Sequence, residues 1–285
     1  MESRRGPLME DLIRRYGGNP FLAPSVKELP FEQHSEVYRW AERLFAGDFD
    51  LLVLMTGCGT GYLRDMIAAR YSRDLFAAAL RKITIVSRGP KPVAVLKELG
   101  VTSNIIVPEP NTWRKIVPVI AARPERRIAL QEYGQSDPEF VEALEKLGAT
   151  VSPISIYRWV LPDDLNPLRE AVRRIAKREC DVVLFTSSIQ LSHLLQVAGV
   201  IGRAADVRQA LAEDIVIASI GPAMNATLEG WGFTPDIVAA HPKMATLVRT
   251  AAEFAASVLL HKRRFLETDA SRMDAPNFST SDICE

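Results

Sequence analysis

Residues 85–90 read Ile-Val-Ser-Arg-Gly-Pro, and residues 217–222 read Ile-Ala-Ser-Ile-Gly-Pro, 132 positions further along (217 minus 85). The same spacing relates Asn-Ile-Ile-Val-Pro-Glu-Pro at 104–110 to Asp-Ile-Val-Ala-Ala-His-Pro at 236–242. In each copy an apolar run ends at a turn, as a buried parallel strand does before its helix. Because several pairs keep one spacing, the sequence predicts an internal duplication of an α/β unit.

The chain around these copies alternates between strand and helix patterns. The apolar run Asp-Leu-Leu-Val-Leu-Met at 50–55 is typical of a parallel strand that is covered on both faces. Further strands are predicted at 19–23, 83–87, 104–107, 127–131, 150–153, 181–185, 215–219 and 236–239. Helices are predicted at 8–16, 37–45, from 61 onward, and at 92–99, 112–121, 138–147, 163–177, 189–197, 223–230 and 243–260. This alternation predicts two doubly wound parallel sheets.

The repeat extends towards the amino terminus, because residues 2–24 resemble residues 132–153. In the second of these segments the strand at 127–131 comes first, whereas no counterpart precedes Met1 in this sequence. Either the start of the chain has been placed one strand too late, or the N-terminal domain lacks its first strand, which in a doubly wound sheet is a central one. If the strand is encoded upstream of Met1, adding those codons to the expressed gene is expected to raise the melting temperature of the protein.

This order of units predicts a discontinuous domain. Residues 1–31 and 155–262 form the first α/β domain, residues 32–154 form the inserted second one, and residues 263–285 form a disordered tail. The two crossings, near 24–31 and 155–161, are expected to pair as a two-stranded β link. Tyr157 lies in the second crossing, within Val-Ser-Pro-Ile-Ser-Ile-Tyr-Arg-Trp at 151–159, and we expect it to line a cleft between the domains.

Composition excludes several classes of protein. Hydrophobic residues make up 47% and charged residues 25%, which is typical of a globular chain without a disordered majority. Lys plus Arg total 35, as do Asp plus Glu, so no basic excess points to nucleic acid. The three cysteines are too far apart for a zinc or disulfide framework. No apolar run reaches the ~20 residues of a membrane span, so the prediction is a cytoplasmic protein without metal or membrane partner.

The loop Gly57-Cys58-Gly59-Thr60-Gly61 is the most conspicuous motif. It resembles a cofactor loop, but Met55 and Ser87 stand where a methyltransferase usually has acidic residues, and Tyr62 stands where a dinucleotide fingerprint needs glycine. We interpret it as a tight turn with amides that hold an anion.

The corresponding loop in the other copy is Thr186-Ser187-Ser188, whose side chains either cap a helix or also face a ligand. Arg88 with Lys91, and Ser3 with Arg4, add polar and cationic groups at such turns. A polyanionic small molecule is the expected ligand. None of the four histidines forms a nucleophile–base set or a metal site with its sequence neighbours.

Several short motifs, in order along the chain, resemble the uroporphyrinogen-III synthase family. They are Glu-Ser-Arg-Arg-Gly at 2–6, Leu-Met-Thr-Gly at 54–57, Arg-Gly-Pro-Lys-Pro at 88–92, Pro-Glu-Pro-Asn-Thr at 108–112, Ile-Tyr-Arg-Trp at 156–159, Phe-Thr-Ser at 185–187 and Ile-Gly-Pro at 220–222. The resemblance implies two flavodoxin-like domains joined by a β-ladder. It also implies that a monomer, without a cofactor, converts hydroxymethylbilane to uroporphyrinogen III with inversion of ring D, a step of heme biosynthesis.

The resemblance assigns roles to particular residues. Tyr157 matches the tyrosine that hydrogen-bonds the leaving hydroxyl, and the alternative is that it only packs between domains. The substrate, a linear tetrapyrrole with eight carboxylates, is expected to bind Ser3, Arg4, Thr56, Gly57, Cys58, Gly59, Arg88, Gly89, Lys91, Asn111, Thr112, Tyr133, Gly134, Thr186, Ser187, Ser188, Gly221, Pro222, Ala223 and Lys243.

The chain departs from the family pattern at two loops. Ala223 and Met224 stand where many members have threonine, and Gly57 stands where serine is frequent. These departures leave two alternatives to the synthase. The chain could be a non-catalytic tetrapyrrole-binding or regulatory relative, or, on the glycine loop alone, a methyltransferase that uses S-adenosylmethionine.

Overall fold

A computed structural model describes residues 5–31, 35–109, 111–134 and 136–273, with side chains described as far as residue 263. Ser3 and Arg4, two of the predicted binding residues, lie outside these ranges. The chain divides into two compact units, Met1–Val26 with Leu161–Glu285 (unit 1) and Lys27–Val160 (unit 2). Residues 27–30 and 157–160, which the sequence analysis placed in the first domain, belong to unit 2, where they pair with each other.

The elements follow the predicted alternation. The helices are α1 (Gly6–Arg15), α2 (Ser35–Ala46), α3 (Gly57–Ala68), α4 (Arg73–Leu80), α5 (Pro90–Glu98), α6 (Trp113–Ala121), α7 (Pro138–Glu145), α8 (Asn166–Ala176), α9 (Ser188–Val200), α10 (Ala204–Glu213), α11 (Pro222–Gly230) and α12 (Met244–Met273). The strands are β1 (Lys27–Pro30), β2 (Leu51–Leu54), β3 (Thr84–Ser87), β4 (Ile105–Ile106), β5 (Arg127–Gln131), β6 (Thr150–Ile154), β7 (Tyr157–Val160), β8 (Val182–Phe185), β9 (Val216–Ser219) and β10 (Ile237–Val238).

Unit 2 is built on a five-stranded parallel sheet in the order β4-β3-β2-β5-β6. Numbered along unit 2, the strands lie in the order 3-2-1-4-5, which is a doubly wound order, so the predicted doubly wound parallel fold is confirmed. The order of the strands reverses between β2 and β5. Ligands of open α/β sheets bind beyond the carboxyl ends of the strands at such a switch point.

Both faces of this sheet are buried, which explains the unbroken apolar run at β2. Leu52 and Leu54 pack into one core cluster with Ile85, whereas Leu51 and Val53 pack into another on the opposite side. Because successive side chains of a strand point to opposite faces, each face needs its own cover of helices.

Strands β1 and β7 form the predicted two-stranded link within unit 2. They are antiparallel, with Pro30 opposite Tyr157 and Lys27 opposite Val160. Residues 24–30 were predicted to be an extended connector, and residues 27–30 of this segment pair with β7.

Unit 1 has a three-stranded parallel sheet in its described residues, in the order β10-β9-β8. The predicted strand at 19–23 is not formed. In unit 2 its counterpart, β6, pairs only with β5. The described part of unit 1 contains no counterpart of β5, so residues 19–23 have no parallel neighbour with which to pair.

Helix boundaries differ from the prediction at two places. Helix α3, which was predicted from 61 onward, begins at Gly57 because the side chain of Thr56 caps it there. The last helix continues to Met273, so residues 263–273 of the expected tail are helical. Lys262 anchors this extension, since its ammonium group donates to two backbone oxygens and lies 2.7 Å from Asp236 Oδ2. Among the described helices, none combines the length and apolar character that a bilayer span needs.

Candidate functional site

The predicted site residues of unit 2 gather at the carboxyl ends of β2, β3 and β5, around the switch point. Thr56 and Cys58 follow β2, Arg88 follows β3, and Tyr133 follows β5. Tyr157 reaches the same place from β7, because its hydroxyl lies 3.3 Å from Thr56 Oγ1. The sheet topology therefore brings together residues that are about a hundred positions apart in sequence.

Thr56 is the centre of this arrangement. Its Oγ1 accepts a hydrogen bond from the Gly59 amide at 3.0 Å and so caps α3. Its own amide donates to Gln131 Oε1 at 3.3 Å, and its carbonyl oxygen accepts from Thr60 Oγ1 at 2.7 Å. Its backbone and side chain are thus bonded to both α3 and the end of β5.

The glycines of this loop are explained by close packing inside the protein. A Cβ at Gly59 would lie 2.1 Å from Gln131 Nε2, and a Cβ at Gly57 would lie 2.9 Å from the carbonyl oxygen of Lys91. The positions of Gly57 and Gly59 are therefore explained by close approach of Lys91 and Gln131. This packing favours the structural interpretation over the methyltransferase alternative.

Tyr157 is 1% exposed. Its ring packs near Tyr62, with centroids 5.8 Å apart, and near Trp159 at 6.4 Å. Burial alone fits a packing residue, but the hydroxyl also contacts Thr56, which in turn lies 3.4 Å from Cys58 Sγ. The Cys58 thiol is also 3.7 Å from Glu28 Oε1 on β1. The phenol therefore ends in a polar cluster rather than in an apolar core.

Arg88 supplies positive charge beside this cluster. Its guanidinium stacks on the Tyr133 ring at 5.2 Å, and burial lowers the pKa of the Arg88 side chain from its usual value. Its electrostatic neighbours are the side chains of Tyr133, Tyr157 and Cys58. Among the described residues, none forms a salt bridge with Arg88, so they supply this half-buried cation with no anion.

The remaining predicted residues of unit 2 shape the loops around Arg88. With its side-chain nitrogen facing the two carbonyls, Asn111 donates to Arg88 O at 2.9 Å and to Val107 O at 3.0 Å. A Cβ at Gly89 would lie 3.0 Å from that amide. Thr112 precedes α6 as its N-cap without a side-chain cap bond, and Lys91 is exposed in the first turn of α5.

Tyr133 and Gly134 both pack against the indole ring of Trp159. Gly134 has a φ of +66°, and a Cβ there would lie 2.5 Å from the indole, so only glycine fits this approach. Tyr133 donates to Asp137 Oδ2 at 2.8 Å, and burial together with this bond raises the pKa of the Tyr133 phenol. Tyr133 therefore remains a neutral surface for Arg88.

The predicted residues of unit 1 form a second group. Gln190 Oε1 accepts from the amides of Thr186 (2.7 Å) and Ser187 (3.2 Å), and its nitrogen donates to Thr186 Oγ1. The chain's own glutamine therefore binds both of these amides. Ser188 Oγ donates to Ala223 O at 3.4 Å. The loop of Gly221 and Pro222 begins α11, and Lys243 is exposed just before α12.

Sequence reasoning missed Gln131, Gln190 and Glu28. Gln131 could have been found, because it is the polar last residue of the otherwise apolar strand run at 127–131. Gln190 occupies the third position of a helix, where glutamine often bonds back to the cap. The sequence contains no comparable signal for Glu28.

A cavity of about 620 Å³ lies at the opposite edge of the unit 2 sheet. Its lining combines apolar residues such as Leu44 with the ion pair of Arg127 and Asp50. This cavity contains none of the predicted site residues. Within the described ranges, no cluster of three or more His, Cys, Asp or Glu side chains could hold a metal ion.

Residues 8–249 match the sequence model of the family described as uroporphyrinogen-III synthase HemD. The chain belongs to the uroporphyrinogen-III synthase family. A putative uroporphyrinogen-III synthase of Methanothermobacter thermautotrophicus is 28% identical over 229 residues, which cover 79% of this chain and 85% of the relative. An uncharacterised protein of Bacillus subtilis, YjjA, is 25% identical over 257 residues, covering 88% and 93% respectively.

Solved structures support the fold. The crystal structure of a mutant uroporphyrinogen III synthase from Thermus thermophilus superimposes with a TM-score of 0.64, covering 94% of this chain and 97% of that chain at 22% identity. At this identity the likeness establishes the shared two-domain α/β fold.

Proposed function

We propose that the chain is an active uroporphyrinogen-III synthase. It cyclises hydroxymethylbilane to uroporphyrinogen III with loss of water and inversion of ring D, in tetrapyrrole and heme biosynthesis. Family membership supports this proposal, and the single observation that carries it is Arg88. A desolvated guanidinium beside Tyr157 and Thr56 is suited to bind a carboxylate of a polyanionic substrate.

The reaction asks the protein for positioning rather than for a cofactor. When the C–O bond of the hydroxymethyl group breaks, the departing oxygen takes up the phenol proton of Tyr157 and leaves as water, and a reactive cation remains on the linear tetrapyrrole. Ring closure then releases a proton, which restores the phenol. The Tyr157 hydroxyl donates a hydrogen bond to the departing oxygen, and Arg88 holds a carboxylate of the substrate. Holding the chain ends together then favours guided ring closure over hydrolysis.

Burial of Tyr157 adds one requirement. Because the side chain is 1% exposed, substrate binding has to uncover its hydroxyl. The polar cluster of Thr56, Cys58 and Arg88 marks the side from which the substrate approaches in this proposal.

Product analysis tests the proposal. Freshly prepared hydroxymethylbilane is incubated with the protein, and the oxidised products are separated by chromatography. We expect an excess of the type III isomer over a heat-denatured control, in which unguided closure gives type I. Type I alone at high protein concentration would contradict the synthase assignment.

A non-catalytic tetrapyrrole-binding role is the second candidate. It is favoured by the start of α11, where Pro222 and Ala223 present no hydroxyl to a substrate. Quenching of tryptophan fluorescence by a bound tetrapyrrole, together with type I product only, would favour this role. The monomeric state and the cytoplasmic location expected from the sequence stay predictions, and sedimentation analysis tests the first of them.

A further inference from the structure

Thr56 Oγ1 lies at a junction of three groups. The Gly59 amide is 3.0 Å away, the Tyr157 hydroxyl 3.3 Å, and Cys58 Sγ 3.4 Å. A threonine hydroxyl has one proton and two acceptor lone pairs. Since a backbone amide can only donate, Gly59 occupies one lone pair. One lone pair and one proton remain for the phenol and the thiol.

Chemistry decides how these two are used. The thiol sulfur is a weak acceptor, so the Thr56 proton gains more from the phenol oxygen than from Cys58. The thiol proton has oxygen acceptors within reach, among them Thr56 Oγ1 at 3.4 Å and Glu28 Oε1 at 3.7 Å. In this arrangement Tyr157 accepts from Thr56, and the phenol's own proton is not used in bonding Thr56.

Thr56 is held firmly enough to impose this direction. Its amide is bonded to Gln131, which is 0% exposed, and its carbonyl accepts from the side chain of Thr60. The cap bond to Gly59 uses one lone pair and the Cys58 thiol donates towards the other, so the hydroxyl proton is left for the Tyr157 oxygen.

We propose that Thr56 is a positioning residue that donates its hydroxyl proton to the Tyr157 oxygen and so directs the phenol proton at the leaving hydroxyl of the substrate. This inference rests on the proposed function and deepens it. A hydroxyl that accepts a hydrogen bond becomes a stronger donor, because neighbouring bonds polarise one another. Thr56 therefore both orients and strengthens the hydrogen bond that Tyr157 gives to the departing oxygen.

Three substitutions separate the donor from the cap. Thr56→Ser keeps both, Thr56→Asp keeps the cap but has no proton to donate near neutral pH, and Thr56→Val loses both. We expect Thr56→Ser to retain kcat within about 2-fold, and Thr56→Asp and Thr56→Val to lower kcat by about 3- to 10-fold with little change in KM. Full kcat in Thr56→Asp would overturn the inference, as would a Thr56→Ser variant as slow as Thr56→Val.

A double-mutant cycle shows whether Thr56 acts through the phenol. In a Tyr157→Phe background, Thr56→Val is expected to cost less than about 2-fold further, because the group that it positions is gone. Independent, multiplying losses would mean that Thr56 acts on the substrate directly. Thr150→Val, the same exchange at the exposed start of β6, serves as a control and is expected to leave the rate unchanged.

A measurement without substrate separates this inference from the proposed function. In protein labelled with ¹³C at the Cζ of its tyrosines, the resonance that disappears in Tyr157→Phe is assigned to Tyr157. Loss of a proton donated to the phenol oxygen moves that resonance downfield in Thr56→Val, whereas loss of an acceptor moves it upfield. A downfield change supports the inference even if no type III product forms. An upfield change, or none, overturns it.

Discussion

The loop after β2 in unit 2 and the loop after β8 in unit 1 occupy matched positions of the repeat, yet they are held by glutamines from different elements. In unit 2, Gln131 at the end of β5 accepts from the amide of the N-cap residue Thr56. In unit 1, Gln190 inside α9 accepts from the amide of the N-cap residue Ser187. In both units a glutamine Oε1 accepts from the amide of the N-cap residue, although the two glutamines do not occupy matching positions of the repeat.

Space explains the difference. When β2 is aligned with β8, Gly59 matches Gln190, since both are the third residue after the N-cap. At Gly59 there is no room for a side chain because Gln131 fills it. The described part of unit 1 has no counterpart of β5, and there the helix supplies the glutamine itself. Each unit thus satisfies a buried amide with the neighbour that it has.

The units also differ in charge. Arg88 after β3 matches Ile220 after β9, so the desolvated cation occurs in unit 2 only. Tyr133 and Tyr157 also belong to unit 2. We therefore expect the chemistry of the reaction to depend mainly on unit 2, and the following substitutions test this expectation.

The largest effect is expected for Arg88→Ile, which gives unit 2 the residue found in unit 1. We expect synthase activity to fall by about 100-fold or more, since loss of a buried charged contact costs roughly 2–5 kcal/mol. The free energy of unfolding should stay the same or rise, because a desolvated charge without a described partner is removed. Steady-state kinetics and urea unfolding measure both. Arg73→Ile, at the exposed start of α4, is the control, and an active Arg88→Ile variant would disprove this role.

The next effect concerns the packing that distinguishes the two loops. Gly59→Ala places a methyl group 2.1 Å from Gln131 Nε2 and should lower the free energy of unfolding by about 2 kcal/mol, the scale of overpacking. Gly61→Ala, in the same helix with open space around it, should stabilise the protein by up to about 1 kcal/mol. Urea unfolding at neutral pH compares them, and equal values would refute the packing argument.

The sequence was sufficient to predict what depends on local pattern. Continuous apolar runs gave the strands of both sheets, and the 132-residue spacing gave the duplication. The strand expected at 19–23 shows the limit, because a strand needs a partner and the described part of unit 1 contains no counterpart of β5. Helix α4 was missed because the helix predicted from 61 onward was given no end before the next strand. Helix α10 was missed because no element was predicted between 197 and 215.

The site was predictable as a set of strand-end loops but not as a hydrogen-bond network. That Thr56, Arg88, Tyr133 and Tyr157 meet follows from their positions at carboxyl strand ends and in the second crossing. That Gln131 fills the space beside Gly59 depends on the distance between β2 and β5, which no local pattern contains.

A smaller effect on the rate is expected for Tyr157→Phe, which separates chemistry from packing in unit 2. The ring and its contacts with Tyr62 and Trp159 are kept, so the melting temperature should change by only a few degrees. Turnover should fall by about 10-fold or more, the scale of one hydrogen bond made in the transition state. Tyr62→Phe is the matched control and should retain activity. If the two variants were equally active, Tyr157 would be a packing residue only.

The smallest effect is a pH dependence confined to unit 2. Glu125, just before β5, accepts from Arg123 and Thr84, and these bonds lower the pKa of its carboxyl from 4.5 to about 2. The stabilisation by the ionised Glu125 is therefore complete above pH 4.5 and is lost as the pH falls towards 2.

Glu125→Gln tests this pH dependence. We expect it to lower the free energy of unfolding by about 1 kcal/mol at pH 7, because the ion pair is partly exposed. Between pH 4.5 and 2 the free energy of unfolding of this variant should change less with pH than that of the wild type. Glu142→Gln, which breaks an exposed pair with Lys146, should cost less than Glu125→Gln. Hydrogen exchange should show the acid-induced loss in the amides of β5 and not in those of β8, and equal loss in both strands would contradict a pH response specific to unit 2.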